Sequence, residues 1–325
     1  MKESLLSIII PTHNIAEYIG ECLQSVIIDN PALTELFKVI IVDDGSTDNT
    51  TGIIESTIAG HSNMVLYKNE HQGVSAARNF GIQKCDTKYL TFLDGDDTLL
   101  QDGFVKVLTL LQKEKDLPEL LFMESVCNGQ TWCGWKSDAI SNNRKTDIHS
   151  IIKNGIERII VLSTIYQTDF IVRNNIDFPY GITISEDLVF SLKCLLAASW
   201  CIFYDIRLYK HTEREGSIVH TSSIAHIGSL IGTLDCYDAM KENFKQSDNT
   251  VKSFIDLYKY DTIMGIMQRM SQLNVSLKDF RKYNINKYLP VRIGAIEIPC
   301  SKKFKAYFLN YFPGLFYLWK KFCFK

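Results

Sequence analysis

A chain of 325 residues can bury one large core or two joined ones, which excludes a disordered chain as the starting description. Its 46% hydrophobic and 22% charged residues are ordinary for a globular protein, and a formal net charge of -2 supplies no field for gathering nucleic acid, so a nucleic-acid partner is excluded. Nine cysteines, at Cys22, Cys85, Cys127, Cys133, Cys194, Cys201, Cys236, Cys300 and Cys323, form no C-x-x-C pair and read as free thiols in a reducing cytosol rather than as a disulfide frame.

The opening MKESLLSIIIPTHN holds an apolar run only a strand long with no small-residue cleavage pattern, so a secretory leader is not expected. No stretch reaches the ~20 apolar residues that cross a bilayer as a helix, and a cytoplasmic protein is expected. Leu5 to Ile10 reads as a buried strand, and Ile15 to Ile28 carries apolar residues at helical spacing. Lys38 to Val42 is a second strand, followed by a polar turn and a helix over Asn49 to Ala59 with Asp48 as its N-cap. Met64 to Tyr67 leads to a helix over Val74 to Lys84, and Tyr89 to Leu93 is a fourth strand that stops at DGDD. Alternating strands and helices imply a parallel, doubly wound α/β sheet, in which ligands sit outside the carboxyl ends of the strands.

Beyond Leu111 the alternation weakens, and Cys127 to Lys145 reads as loops and an edge hairpin. Ile151 to Gln167 looks helical, Asp187 to Ala198 is a helix, Trp200 to Tyr209 contains a strand, and Ala225 to Ser276 is helical again.

Three segments at strand ends carry chemistry. FLDGDD, Phe92 to Asp97, gathers three carboxylates that repel one another unless a cation neutralises them, and Mg²⁺ or Mn²⁺ fits because it takes a few carboxylate oxygens together with substrate phosphates. A solvated turn is the alternative. VDDGSTDN, Val42 to Asn49, adds two acids at a position that in dinucleotide folds accepts hydrogen bonds from ribose. EHQGVSAARNFGI, Glu70 to Ile82, opens a helix at Gly73 and sets Arg78 one turn in, where it either reaches a phosphate or base or buttresses the aspartates.

With IIIPTHN and ISEDLVF, these segments resemble a family 2 glycosyltransferase of the GT-A fold over about the first 220 residues. The resemblance implies an inverting, UDP-sugar-dependent transferase acting on a glycan acceptor, with a lipid-linked glycan as the candidate, in surface polysaccharide synthesis. Residues 1–111 then read as the nucleotide-sugar-binding part of a GT-A domain, 112–220 as its acceptor-binding part, and 221–325 as a helical C-terminal extension. The donor set is Pro11, Thr12, Asn14, Asp43, Asp44, Arg78, Asp94, Asp96 and Arg214, with Asp96, Asp97 and His211 at the metal, Mn²⁺ or Mg²⁺. The family's first loop usually carries tyrosine or valine where this chain has His13. Asp187, in ISEDLVF, matches the family's base, which must reach the acceptor hydroxyl opposite the leaving diphosphate, and Glu186 orients it or binds acceptor. Both acids would also be stabilised at a helix N-terminus with no such role. TEREGSIVH, Thr212 to His220, resembles the family's flexible diphosphate-closing segment. The tail, Ser301 to Lys325, mixes lysines with aromatic residues and no acid, a composition suited to peripheral contact at the inner face of a membrane or to a helix packed on the domain. Two rivals remain. A nucleotidyltransferase would need a glycine-rich basic loop that PTHN lacks, and an inactive sugar-nucleotide-binding protein is opposed by the intact acids Asp96, Asp97 and Asp187.

Overall fold

The apolar run expected to be a strand forms β1 (Leu6–Thr12), every residue of which is buried, as in a strand covered on both faces. The computed structural model describes residues 4–131, 144–153, 161–213, 223–243, 249–296 and 298–323. After β1 come α1 (Ile19–Val26), the short α2 (Pro31–Thr34), β2 (Phe37–Asp44), α3 (Thr50–Ile58), β3 (Met64–Asn69), α4 (Val74–Lys84), β4 (Tyr89–Phe92), β5 (Thr98–Leu99) and α5 (Gln101–Lys113). They are followed by β6 (Leu120–Cys127), β7 (Gln130–Thr131), β8 (Thr146–Asp147), α6 (Ile148–Lys153), β9 (Thr164–Gln167), α7 (Thr168–Arg173), α8 (Glu186–Ala197) and β10 (Trp200–His211). The chain divides into one unit of residues 1–148, 157–180 and 190–214 and a second of residues 149–156, 181–189 and 215–325.

The first unit holds a ten-stranded sheet in the order β3-β2-β1-β4-β9-β6-β10-β5, with β7 beside β6 and β8 beside β10. β1 runs parallel to β2 and β4, β2 to β3, and β6 to β10. Period-two alternation puts helices on both faces. From β2, Val39 and Ile41 join a core with Leu23 of α1 and Phe104 of α5, whereas Ile40 and Val42 face Ala77 of α4. The carboxyl ends of β1, β2 and β4 lie side by side, with Thr12 in register with Asp43 and Ile9 with Phe92.

Several expectations change. Ile151 to Gln167 is not one helix: α6 ends at Lys153, residues 154–160 lie outside the described set, and Thr164–Gln167 is β9, inserted antiparallel between β4 and β6. Its β-branched and aromatic residues, Thr164, Ile165 and Tyr166, are buried there and suit a pleated surface. The sheet is therefore mixed rather than wholly parallel. Asp48 is not itself the cap of α3, which starts after Asn49; its Oδ1 accepts from the Thr50 backbone N–H at 3.0 Å instead. Of the expected loops and edge hairpin over Cys127 to Lys145, residues 132–143 lie outside the described set; a short hairpin pairs β7 with the end of β6, an interior strand, through Asn128 and Gly129 with φ of 50° and 73°, the left-handed pair of a tight hairpin turn.

The second unit contains α9 (Ile224–Asn243), α10 (Asn249–Gln272), α11 (Leu277–Lys282), α12 (Cys300–Tyr311) and α13 (Pro313–Cys323). α12 and α13 break at Phe312–Pro313, where proline cannot continue the preceding helix. Their inner faces bury Ala306, Leu309, Phe316 and Tyr317, and the Tyr317 ring stacks on Phe280 at 4.4 Å. Phe304, Tyr307, Tyr311, Phe312, Leu315, Leu318, Trp319 and Phe322 are exposed, Phe304 at 71% and Phe322 at 84%. Among the described residues no helix is long and apolar enough to cross a membrane.

Two glycines test this packing in opposite directions. A Cβ on Gly103 of α5 would lie 1.9 Å from the Arg207 carbonyl oxygen of β10, whereas one on Gly228 of α9 meets nothing within 4 Å. Gly103→Ala should destabilise the protein by about 3 kcal/mol or more through overpacking against backbone. Gly228→Ala should stabilise it by about 0.5–1 kcal/mol by reducing the freedom of the unfolded chain. Urea unfolding of both variants reads the signs.

Candidate active site

Four loops leave the sheet at the ends of β1, β2, β3 and β4, and the polar residues of the first three are hydrogen-bonded to one another. Asp43 accepts from Thr12 Oγ1 at 3.2 Å, from the Ser46 backbone N–H at 3.0 Å and from the Ser46 hydroxyl. Asn14, with φ of 50°, accepts on Oδ1 from the Thr47 N–H at 2.8 Å, and its own N–H donates to Ser46 Oγ at 3.0 Å. Pro11 is buried in β1 opposite Val42.

Asp44 is turned to the third loop. Its two carboxylate oxygens accept from the backbone N–H groups of Gln72 and Gly73 at 2.9 and 2.8 Å, and Oδ2 lies 2.9 Å from His71 Nδ1. Gly45 allows this approach: it has φ of 74°, and a Cβ there would sit 3.1 Å from the His71 backbone nitrogen. His13 and His71, one from each side, stack with ring centroids 4.2 Å apart.

Arg78, on α4, is 3% exposed. Its Nη2 donates to Asp94 Oδ1 at 2.8 Å, and the guanidinium lies 5.1 Å from the centre of the Phe178 ring. Of the two roles open in the sequence, the geometry contains the ion pair to the aspartates. The neighbouring Asn79 accepts from the Phe178 N–H at 2.8 Å and donates to its carbonyl at 2.9 Å, which fixes that ring beside the guanidinium.

Asp94, Asp96 and Asp97 each bring a carboxylate oxygen within 4.8 Å of the others. The turn is pressed onto the first loop, since a Cβ on Gly95 would lie 2.3 Å from Ile15 Cδ1 and 3.3 Å from the Pro11 carbonyl. Asp97 is 1% exposed and is held by the Tyr209 hydroxyl, by the Thr212 N–H at 2.7 Å and by His211 Nδ1 at 3.1 Å. Burial, then the charges of Asp94 and Asp97, push the Tyr209 phenol well above its usual range. The hydrogen bond to Asp97 is the main cause raising the His211 imidazole. Beneath the turn, the Cys22 thiol donates to the Asp94 carbonyl at 3.6 Å. Burial first, and the three aspartates second, raise this thiol far above its ordinary value. An all-oxygen group partly open to solvent, beside an imidazole, fits a hard divalent cation that also takes ligands from a substrate.

Glu186 and Asp187 occupy the first turn of α8 and belong to the second unit. They follow Ser185, whose φ is 66°, and Asp187 Oδ1 accepts from the Leu188 N–H at 2.8 Å. The approach to this turn is fixed by the Thr183 and Ile184 N–H groups, which both donate to Ser229 Oγ, at 2.9 and 3.0 Å. Arg214 lies outside the described residues. Tyr209, Thr212 and His71 were not singled out in the sequence. A signal for the first existed: on β10 the positions of Tyr209 and His211 differ by two, so both side chains leave one face of the strand toward Asp97.

Residues 7–145 match the family described as Glycosyl transferase family 2. This segment is a family 2 glycosyltransferase domain. Over 231 residues the chain is 26% identical to the uncharacterized glycosyltransferase YibD of Escherichia coli, covering 68% of this chain and 63% of the relative. It is 26% identical over 238 residues to the poly(ribitol-phosphate) beta-N-acetylglucosaminyltransferase TarS of Staphylococcus aureus, covering 72% of this chain and 39% of that protein. The chain thus spans less than two thirds of either relative. The solved structure of TarS 1-349 in complex with UDP-GlcNAc superposes with a TM-score of 0.72 at 18% identity, covering 98% of this chain and 90% of that one. A mannosyltransferase of Pyrobaculum calidifontis, solved with GDP-Man and Mn²⁺, gives a TM-score of 0.56 at 13% identity, with 99% and 85% covered. The fold is GT-A with C-terminal helices, as expected.

The Arg78 ion pair is largely shielded on one side, while Asp94 retains some exposure. Arg78→Met should therefore cost roughly 1–3 kcal/mol in urea unfolding, below the range for breaking a wholly buried pair. Arg78→Lys should recover only part of it, because an ammonium lacks the planar fork that meets both the carboxylate and the ring.

Proposed function

We propose that the protein transfers a sugar from a nucleoside diphosphate, UDP by family resemblance, to a hydroxyl of a glycan acceptor with inversion, in a divalent-metal-dependent reaction serving surface polysaccharide synthesis. The observation that carries this reading is the convergence of the Asp43–Asp44 loop, Arg78 and the Asp94–Asp96–Asp97 trio at one edge of the parallel strands. The nucleotide-sugar complexes of TarS and of the Pyrobaculum calidifontis mannosyltransferase, on the same fold, support it.

In this reading Pro11, Thr12, Asn14, Asp43 and Asp44 shape the nucleoside pocket. Asp94 stays paired with Arg78, and Asp96, Asp97 and His211 hold the cation, Mn²⁺ or Mg²⁺. When bound, the cation stabilises negative charge on the departing diphosphate. Arg214 adds a second positive charge there. Asp187 takes the proton of the acceptor hydroxyl as its oxygen bonds to the anomeric carbon and the bond to the diphosphate oxygen breaks; Glu186 orients Asp187.

The acceptor is carried on a lipid at the inner face of the membrane, and the tail approaches it there. The exposed rings of α12 and α13, on a segment with no acidic residue between Ile298 and Lys325, suit an anionic headgroup layer.

Two experiments test the two parts. Asp96→Asn with Asp97→Asn should weaken both metal and UDP binding by calorimetry, whereas Asp187→Asn should retain UDP-sugar affinity and lose turnover by roughly two to four powers of ten. Metal-dependent UDP affinity that survives the double substitution would reduce the trio to a turn. For the tail, truncation is uninformative because it strips Phe316 and Tyr317 from the second unit's interior. Phe304→Ser, Leu315→Ser and Phe322→Ser together remove only exposed apolar groups. The intact protein should sediment with anionic liposomes and the triple variant should not, with unchanged circular dichroism. An intact protein that stays in the supernatant refutes membrane contact.

A further inference from the structure

The loops that meet over Asp44 gather nitrogen donors to which the reading above gives no role. His13 Nδ1 lies 2.9 Å from the Asp44 carbonyl oxygen. His71 Nδ1 lies 3.1 Å from that same oxygen and 2.9 Å from Asp44 Oδ2. One donor atom from each of His13, Asp44 and His71 falls within 4.8 Å of the other two. We propose that these three residues form a second cation site, for a transition ion of the Zn²⁺ type, separate from the aspartate trio.

The donor chemistry separates the two sites. Two imidazoles and one carboxylate make the mixed nitrogen and oxygen set that zinc accepts with a fourth position left to water, while an all-oxygen trio suits Mg²⁺ or Mn²⁺. Tetrahedral zinc with bonds of about 2.0–2.2 Å needs its donors about 3.3 Å apart, so His71 Nδ1, at 2.9 Å from Asp44 Oδ2, must withdraw slightly and the two rings must tilt out of their stack. Asp44 need not move. The backbone N–H groups of Gln72 and Gly73 already hold its carboxylate, one on each oxygen, which is how a ligand is oriented from behind. Each oxygen keeps a further lone pair for the ion. The site stands on the geometry of these loops, whether or not Asp44 also receives a nucleoside.

Asn14 limits the affinity. Its Oδ1 accepts from the Thr47 and Asp48 N–H groups at 2.8 and 3.4 Å, which turns its Nδ2 toward His13 Nε2 at 3.1 Å. The ring proton of neutral His13 is thereby assigned to Nδ1, facing the Asp44 carbonyl. Capture of an ion at Nδ1 moves that proton to Nε2, where it confronts an amide donor. Asn14→Asp keeps the acceptor for the Thr47 and Asp48 N–H groups and gives Nε2–H an acceptor as well, so it should tighten binding.

The test is titration of Zn²⁺ against a chromophoric chelator, using protein that carries Asp96→Asn and Asp97→Asn and so lacks the first site. One Zn²⁺ per chain is expected. His71→Gln or His13→Gln should each weaken it by about tenfold or more, and Asn14→Asp should strengthen it by up to about tenfold, the range that a group supporting a ligand commands. Because Asp97 is buried, the titration is repeated on the unsubstituted protein in excess Mg²⁺, where the same dependence on the histidines is expected. Absence of Zn²⁺ uptake in both proteins overturns the proposal. So does uptake that neither histidine substitution changes, which would assign the ion to thiols.

Discussion

A carboxylate shut away from water costs several kcal/mol unless donors replace the water it lost, and this protein shuts away several at one edge of one sheet. Each has its own donors. Asp43 is met from the first loop and from its own turn, Asp44 by the amides that begin α4, Asp97 by a phenol, an imidazole and an amide at the end of β10, and Asp94 by Arg78. The loops take the conformations they do because those donors must arrive. A cluster organised in this way presents its remaining lone pairs in fixed directions, which is what a metal-bound diphosphate requires.

The four strands nearest the amino terminus were legible because each is a short apolar run ended by a turn residue, and because strand and helix alternate without interruption up to Phe92. β6 and β9 were harder. Leu120–Cys127 contains a glutamate and a serine, and Thr164–Gln167 lies among residues at helical spacing, so neither advertises itself locally. What makes them strands is tertiary: β9 closes the gap between β4 and β6, where Thr91 Oγ1 donates to the Thr164 carbonyl at 2.9 Å. In the site, the acids could be read because aspartates at strand ends are conspicuous. Tyr209 was legible only through its spacing of two from His211, since a tyrosine inside a strand otherwise reads as core.

The second unit follows a different rule. Several of its charges are paired internally: Asp256 accepts from Lys241 at 2.6 and 2.7 Å and from the Arg292 N–H at 2.8 Å. Its last two helices are apolar on two faces rather than one. The inner face explains why the segment is ordered against α10 and α11, through Tyr317, whose hydroxyl reaches the Val275 carbonyl at 2.9 Å. The outer face has no such explanation among the described residues of the unit, and the membrane contact proposed above rests on this surplus of rings.

Cys22, set under the aspartate turn, gives the site a chemical temperament of its own. Electrophiles and oxidants attack thiolates, and this sulfur is kept protonated by burial and by the three negative charges above it. A covalent inhibitor aimed at this cysteine would therefore find a poor nucleophile, and transient oxidative stress would spare it. Burial, the larger cause, would keep that sulfur inert even where a cation neutralised the carboxylates above it.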